Sequence, residues 1–176
     1  PGGKLTMTFP KSVGQIPLYY AHKNTGRPLK EGKWFEKFRS NYLDVDNDAL
    51  YPFGYGLSYT TFRFSDITLN RSSIGMDNEL VASVTVTNTG DRAGSEVVQL
   101  YIRDLVGSVT RPVKELKGFE KIYLQPNESR TVRFTIAPEM LKFYNADLKF
   151  VAEPGDFDVM IGPDSRNVKT ARFTLR

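Results

Sequence analysis

The chain has 176 residues, of which 40% are hydrophobic and 25% charged, and its formal net charge is +4. This composition is typical of folded globular protein, and the length suits one domain or one domain with a piece of another. The absence of cysteine excludes disulfides, cysteine-ligated zinc and thiol catalysis within this chain, and the scattered basic residues and short apolar runs favour neither nucleic-acid binding nor a membrane span.

The first 21 residues hold one strand-like pattern. Leu5, Met7 and Phe9 alternate with threonines, and a second apolar stretch covers residues 16–20. One strand cannot bury a core of its own. Because the sequence also opens at Pro1 without an initiator methionine, we expect residues 1–21 to be the tail of a neighbouring domain in a longer polypeptide.

Residues 22–61 are predicted to be a connecting segment. Its first part, residues 22–50, is polar and irregular, and loops of that length are usually functional or packed across another surface. The second part is a run of aromatic residues among Pro52, Gly54 and Gly56, a mixture that suits neither a helix nor a regular strand. Its aromatic members are Tyr51, Phe53, Tyr55, Tyr59 and Phe62. Rings of this size must lie against a surface, either the core of this chain or another domain.

From residue 64 onward, apolar residues alternate with polar ones at the period of a β-strand. The predicted strands cover residues 64–69, 79–88, 98–103, 113–119, 121–124, 132–136, 157–161 and 173–175. Turn sequences rich in Asn, Asp, Gly and Pro separate them, and only residues 138–145 favour a helical turn. About seven short strands, each buried on one side, predict an all-β, immunoglobulin-like antiparallel sandwich over residues 62–176.

Several motifs resemble the carboxy-terminal part of glycoside hydrolase family 3, in particular the periplasmic β-glucosidases of bacteria. The matching segments are Gly3–Leu5, Phe9–Pro10, Ser12–Pro17, Tyr51–Phe62, Arg111–Phe119 and Glu153–Gly155. They occur in order along the whole chain. The fold implied by this resemblance is the end of an α/β sandwich over residues 1–21, a linker over 22–61, and a fibronectin type III-like domain over 62–176.

The resemblance also implies a function. In the family, a (β/α)₈ barrel carries the nucleophilic Asp and the α/β sandwich carries the acid/base Glu of a retaining β-glucosidase. Both would precede Pro1, so the resemblance implies no catalytic, cofactor or metal residue in this chain, which is predicted to be inactive alone. Its implied partners are the two upstream domains and, through them, a β-glucoside substrate; its implied location is the periplasm.

A few other residues have the type or spacing of a chemical site. Asp44, Asp46 and Asp48 have the spacing that opens a calcium loop, but Ala49 and Tyr55 stand where that loop needs Gly and Glu. His22 is the only histidine, which leaves no histidine-based metal cluster. Glu115 and Glu120 are expected to be exposed carboxylates that balance Lys114, Lys117 and Lys121. Asp104, Arg103 and Arg111 are expected to form a structural salt-bridge network near a loop.

Three functions remain open for the chain. The first is a structural buttress of a β-glucosidase. The second is a carbohydrate-binding module that stacks Trp34, Tyr42 and the 51–59 aromatics on sugars. The third is a fibronectin-type interaction domain. The buttress is favoured because the aromatics cluster in a Gly- and Pro-rich interdomain run. A related hypothesis places the loop 22–28 at the rim of the sugar cleft, with Asn24 or Arg27 contacting hydroxyls; the alternative is a purely structural link.

Overall fold

The computed structural model describes residues 2–24, 26–29, 33 and 35–176. Eleven strands are found in these residues, together with two short 3₁₀ turns at Val13–Gln15 and Pro138–Leu141. The strands are β1 (Phe62–Phe64), β2 (Thr68–Leu69), β3 (Ser73–Ile74), β4 (Leu80–Asn88), β5 (Gly94–Asp104), β6 (Glu115–Leu124), β7 (Ser129–Ile136), β8 (Phe143–Tyr144), β9 (Phe150–Val151), β10 (Gly155–Gly162) and β11 (Lys169–Leu175). Among the described residues, no helix is long and apolar enough to cross a membrane.

The strands form a two-sheet sandwich, as the alternation predicts. In one sheet β4 pairs with β1 and β2 along one edge and with β7 along the other. The second sheet has the order β3-β11-β10-β5-β6, and all its pairs are antiparallel except β11 with β3. A separate two-stranded ladder joins β8 and β9, which the sequence did not predict.

The core lies between the two sheets and draws every buried member from residues 74–175. In β4, Leu80, Ala82, Val84 and Val86 are all at most 1% exposed, and the intervening residues face outward. Phe157 and Phe173 stack at 5.4 Å in the middle of the core. The buried hydrophobic core therefore lies in the part of the chain that follows the aromatic run.

The expectation that each strand is buried on one side only is wrong for β5. Gln99 and Tyr101 point to the outer face of the five-stranded sheet, yet they are only 3% and 0% exposed. Residues 2–20 and 42–61, called the strap below, cover this face. The two arms of the strap run antiparallel: the Phe9 amide donates to the Tyr51 carbonyl at 2.9 Å, and the Leu5 amide donates to the Tyr55 carbonyl at 2.8 Å.

A buried glutamine holds the two arms of the strap together. Gln15 is fully buried, and its Nε2 donates to the carbonyls of Asp46 and Asp48 at 2.8 and 3.2 Å. The Gln15 carbonyl in turn accepts the Tyr42 hydroxyl at 2.8 Å. Since a buried amide is costly unless it is hydrogen-bonded, Gln15 fixes the register of two segments that lie about 30 residues apart in sequence. The strand predicted over residues 5–9 is not formed as a regular strand. Its place is taken by one isolated β-bridge between the strap arms, which joins Phe9 to Tyr51.

The two predicted runs 113–119 and 121–124 form one strand, β6. A register shift between Leu100 and Tyr101 leaves Lys117 without a partner, so Leu116 and Gly118 face opposite sides of the sheet. A bulge of this kind reverses the alternation locally. The bulge falls inside the first predicted run, and the break that the sequence pattern places at Glu120 has no counterpart in the sheet.

Candidate functional site

The aromatic run Tyr51–Phe62 sends its rings in two directions. Inward, Phe53 stacks on Tyr20 with ring centroids 4.2 Å apart, and Tyr20 packs edge-on against Tyr101 at 5.8 Å. Outward, Tyr51 stacks on Tyr55 at 4.9 Å. The strap therefore has an inner aromatic face that contacts the sheet and an outer aromatic face that does not.

Gln99 fastens the inner face to the sandwich. Its Nε2 donates to the Gly54 carbonyl at 3.1 Å and to the Pro163 carbonyl at 2.6 Å, while its Oε1 accepts the Tyr101 hydroxyl at 2.5 Å. Burial raises the pKa of Tyr101 above its ordinary value, so this hydroxyl remains a donor at physiological pH. All polar atoms of the Gln99 amide group that face the strap are thus satisfied.

Ionic and backbone contacts add further attachment points. Lys4 Nζ lies 2.7 Å from Glu96 Oε1, and both side chains are largely shielded from solvent. The Ser165 amide donates to the Phe53 carbonyl at 2.9 Å, and Arg166 donates to the Ala49 carbonyl. These contacts are spread along the strap, so it is held as one layer on the sheet.

The outer face of the strap remains apolar and exposed. Leu57 is 68% exposed and Tyr59 is 77% exposed. Tyr51 and Phe9 are each about 40% exposed, and the rings of these two residues lie edge to face with centroids 6.3 Å apart. The other large exposed apolar residues of the strap are Met7, Val13, Ile16, Tyr19, Leu43 and Leu50. Apolar exposure on this scale marks an interaction surface in soluble proteins. We call this set of residues the docking face.

Several of the described aromatic candidates for sugar stacking already make contacts within the strap. Tyr51 and Tyr55 stack on each other, Phe53 is turned inward, and the Tyr42 hydroxyl is committed to Gln15. Tyr59 is 77% exposed, and Trp34 lies outside the described residues. Nothing in these positions specifically favours the carbohydrate-binding alternative.

Of the acidic residues Asp44, Asp46 and Asp48, the last two are hydrogen-bonded within the strap. Both carboxylate oxygens of Asp46 accept a hydrogen bond from Lys11 Nζ at 2.7 Å, and this pairing lowers the pKa of the Asp46 carboxyl group. Asp46 Oδ1 also accepts the Asp48 amide at 2.9 Å. In the described part of the chain, no group of three or more His, Asp or Glu residues has an arrangement that could hold a metal ion. His22 is exposed, and its Nδ1 lies 3.2 Å from the Lys23 carbonyl.

The predicted salt-bridge network centres on Arg111. Its Nη2 donates to Glu115 at 2.9 Å, its Nε lies 3.7 Å from Asp104, and its guanidinium covers the Phe143 ring at 4.2 Å. Burial raises the pKa of Asp104. The expected charge balance between Glu115 and Lys117 is confirmed at 3.6 Å, but Glu115 is half-buried rather than exposed, and it also pairs with Arg111. Arg103, expected in this network, makes no ion pair with the described residues.

The loop 22–28 lies against the sandwich at one end. The Val113 amide donates to the His22 carbonyl at 2.9 Å, and Lys23 forms a bridge with Pro112. Asn24 and Arg27 are exposed, and Asn24 Oδ1 accepts the Gly26 amide at 3.1 Å. Thr25 is outside the described residues. That Asn24 or Arg27 contacts a sugar stays a prediction.

Sequence reasoning missed the polar residues that position the docking face. Gln99 gave no pattern signal, because a glutamine at an alternating strand position normally indicates a solvent-facing side. Gln15 lies in a short 3₁₀ turn, where no alternation marks a buried side. Asn88, the last residue of a predicted strand, gave no signal either, although its fully buried side chain donates to the carbonyls of Arg92 and Leu124 and accepts the Thr60 hydroxyl at 2.7 Å. Asn88 thereby ties the end of the aromatic run to the tip of β4.

The sequence and fold of this chain are similar to those of several known proteins. Residues 96–165 match the model of the fibronectin type III-like domain. The chain is 55% identical, over 99% of its length, to a periplasmic β-glucosidase of Salmonella typhimurium, and 43% identical, over its whole length, to a β-xylosidase of Formosa agariphila. The crystal structure of a β-glucosidase from Listeria innocua in complex with glucose superposes on 98% of the chain with a TM-score of 0.92 at 43% identity.

The chain spans only about a quarter of these relatives. It covers 23% of the Salmonella protein, 24% of the Formosa protein and 24% of the Listeria chain. The matched region includes the strap as well as the sandwich, since the alignments extend over nearly all 176 residues.

Proposed function

We propose that this chain is the carboxy-terminal, fibronectin type III-like part of a β-glucosidase of glycoside hydrolase family 3, and that it buttresses the catalytic domains of such an enzyme. The observation that carries the proposal is the two-sided strap. Its inner face is fastened to the sandwich through Gln99, while its outer face presents exposed apolar side chains. A layer built in this way transmits the rigidity of the sandwich to whatever covers its outer face.

We further propose that the parent protein hydrolyses terminal β-D-glucosyl residues by the retaining mechanism in the periplasm, in line with its similarity to the periplasmic β-glucosidase of Salmonella typhimurium and the β-glucosidase of Listeria innocua. In that mechanism two carboxyl groups face each other across the scissile bond about 5–5.5 Å apart. Because that separation is narrow, a small rotation between the domains that carry the carboxylates would remove activity. The role of this chain is to prevent that rotation. A proposed division of the chain assigns residues 1–21 to the end of the preceding domain, 22–61 to the connection and 62–176 to the fibronectin-like domain.

The first test concerns catalysis by the chain alone. The 176-residue chain is expected to give no turnover of an aryl β-glucoside, because the proposed nucleophile and acid/base residues lie in other domains. The assay uses high protein concentration and the full-length protein as a positive control. Turnover that scales with chain concentration and persists after repurification would contradict the proposal.

The second test concerns docking through Tyr55. This half-buried ring contacts Tyr51, so in the isolated chain Tyr55→Ala removes only a stacking pair worth roughly 0.5–1.5 kcal/mol. In the full-length protein the same ring is expected to be an anchor of the docked interface, and its loss costs roughly 2–4 kcal/mol together with activity. Thermal unfolding of the variant in both proteins measures the difference.

Phe53→Ala is the matched control for this comparison. Phe53 faces inward onto Tyr20, so its replacement is expected to lower the melting temperature in both proteins. Equal shifts for Tyr55→Ala in the two proteins would mean that Tyr55 serves only its own domain, and the buttress proposal would then lose its main support.

A further inference from the structure

The outer face of the edge strand β6 carries two exposed aromatic rings. Phe119 is 68% exposed and Tyr123 is 54% exposed. Strand alternation places Lys121 between them on the same face, while Ile122 and Leu124 point inward and are buried in the core. Neither aromatic ring therefore contributes its main surface to the sandwich.

Lys121 receives the beginning of the strap at this position. Its Nζ donates to the Gly2 carbonyl at 2.8 Å. Nearby in sequence, Lys4 is held by the largely buried Glu96. The backbone of residues 2–4 is thus fixed over β6, and any polypeptide that leads into Gly2 reaches the sandwich beside Phe119 and Tyr123.

The relatives indicate what precedes this point. The chain matches only about a quarter of each of these relatives, and under the proposed function the rest of such a protein leads into the segment at Gly2. β6 is also the last strand of its sheet, with no further strand paired to its outer edge among the described residues. Exposed edge strands promote aggregation unless they are covered. Apolar rings and an unpaired edge together fit a face that a neighbouring domain covers.

We propose that Phe119 and Tyr123 form a second docking contact, which receives the domain that precedes Gly2 in the same polypeptide. This inference rests on the proposed buttress function and extends the docking face from the strap onto the sandwich itself. The occupant presents an apolar surface to the two rings. Lys121, with three donor hydrogens, has capacity to bind a carbonyl or carboxylate of that surface in addition to Gly2.

Single cysteines provide the test, because the chain has none of its own. We would introduce Phe119→Cys, Leu57→Cys and Tyr144→Cys separately, both in the 176-residue chain and in the full-length protein. All three positions are at least 66% exposed, so the substitutions are tolerated by the fold. The rate of alkylation at each position is read by peptide mass spectrometry, which separates it from any cysteine elsewhere in the full-length protein.

The cysteine at position 119 is expected to react at least about tenfold more slowly in the full-length protein than in the isolated chain. Position 57 reports on docking through the strap and is expected to be protected as well. Tyr144 belongs to the separate β8–β9 ladder, and its variant is expected to react equally in both proteins.

Two outcomes would overturn the inference, and they are distinguishable. Protection at position 57 with unchanged reactivity at position 119 would leave the buttress function standing and remove the second contact. Unchanged reactivity at both positions would remove the docking of this chain altogether.

Discussion

Replacing Tyr101 by alanine is expected to destabilise the 176-residue chain by about 3–5 kcal/mol, the cost of removing a fully buried aromatic ring. The ring lies beneath the strap, 5.8 Å from Tyr20, and its hydroxyl donates to Gln99 at 2.5 Å. Its loss leaves a cavity between sheet and strap and frees the Gln99 side chain. We therefore expect the strap to become sensitive to protease before the sandwich unfolds.

Two controls separate the parts of this effect. Tyr101→Phe keeps the ring but leaves Gln99 Oε1 without its buried donor, for which about 1–3 kcal/mol is expected. Tyr59→Ala removes an exposed ring on the same strap and is expected to change stability by no more than about 0.5 kcal/mol. Denaturant unfolding of the three variants gives the order. If Tyr101→Ala and Tyr59→Ala were equally stable, the strap would not be fastened at Tyr101.

The second large effect is expected for Gly54→Ala. The backbone of Gly54 has a φ of +79°, where a side chain costs about 1–2 kcal/mol. The added Cβ would also lie 2.1 Å from Gln99 Oε1 and 2.8 Å from its Cδ. Gln99 cannot simply move away, because three hydrogen bonds fix its amide. Overpacking and strain together predict a loss of about 2–4 kcal/mol.

Gly3→Ala is the matched control, since nothing lies within 4 Å of the Cβ that it would add. It is expected to leave stability unchanged within about 0.5 kcal/mol. Both variants are measured by denaturant unfolding of the isolated chain, and in the full-length protein by activity as well. A Gly54→Ala chain as stable as the Gly3→Ala chain would show that the aromatic run adapts to Gln99, against a rigid strap.

The variants at Tyr101 and Gly54 would separate the stability of the sandwich from the formation of the docking face. The core of the sandwich is made entirely by residues 74–175, so loosening the strap should leave it folded. The docking face, in contrast, is formed only while the strap packs against β5. Variants at Gly54 or Tyr101 should therefore affect interdomain docking more than they affect the sandwich.

The sequence by itself determined the architecture of the sandwich. In β4 the alternation of Leu80, Ala82, Val84 and Val86 with polar residues predicts which face is buried, and the structure confirms it. Ordered motifs such as Arg111–Phe119 were enough to indicate the family, which the comparisons support. Alternation is a local property, so it is readable wherever one face of a strand meets the core and the other meets solvent.

Only the tertiary structure decided which outward faces are covered. Gln99 and Tyr101 have the same alternating pattern as a solvent-exposed pair, yet Tyr20 and Gly54 bury them from about 45 to 80 residues away in sequence. For the same reason the sequence did not separate the inward Phe53 from the outward Tyr55, or indicate Phe119 and Tyr123 as a docking contact. Periodicity determines which side chains share a face, whereas the burial of that face depends on segments that are distant in the chain and meet it only after folding.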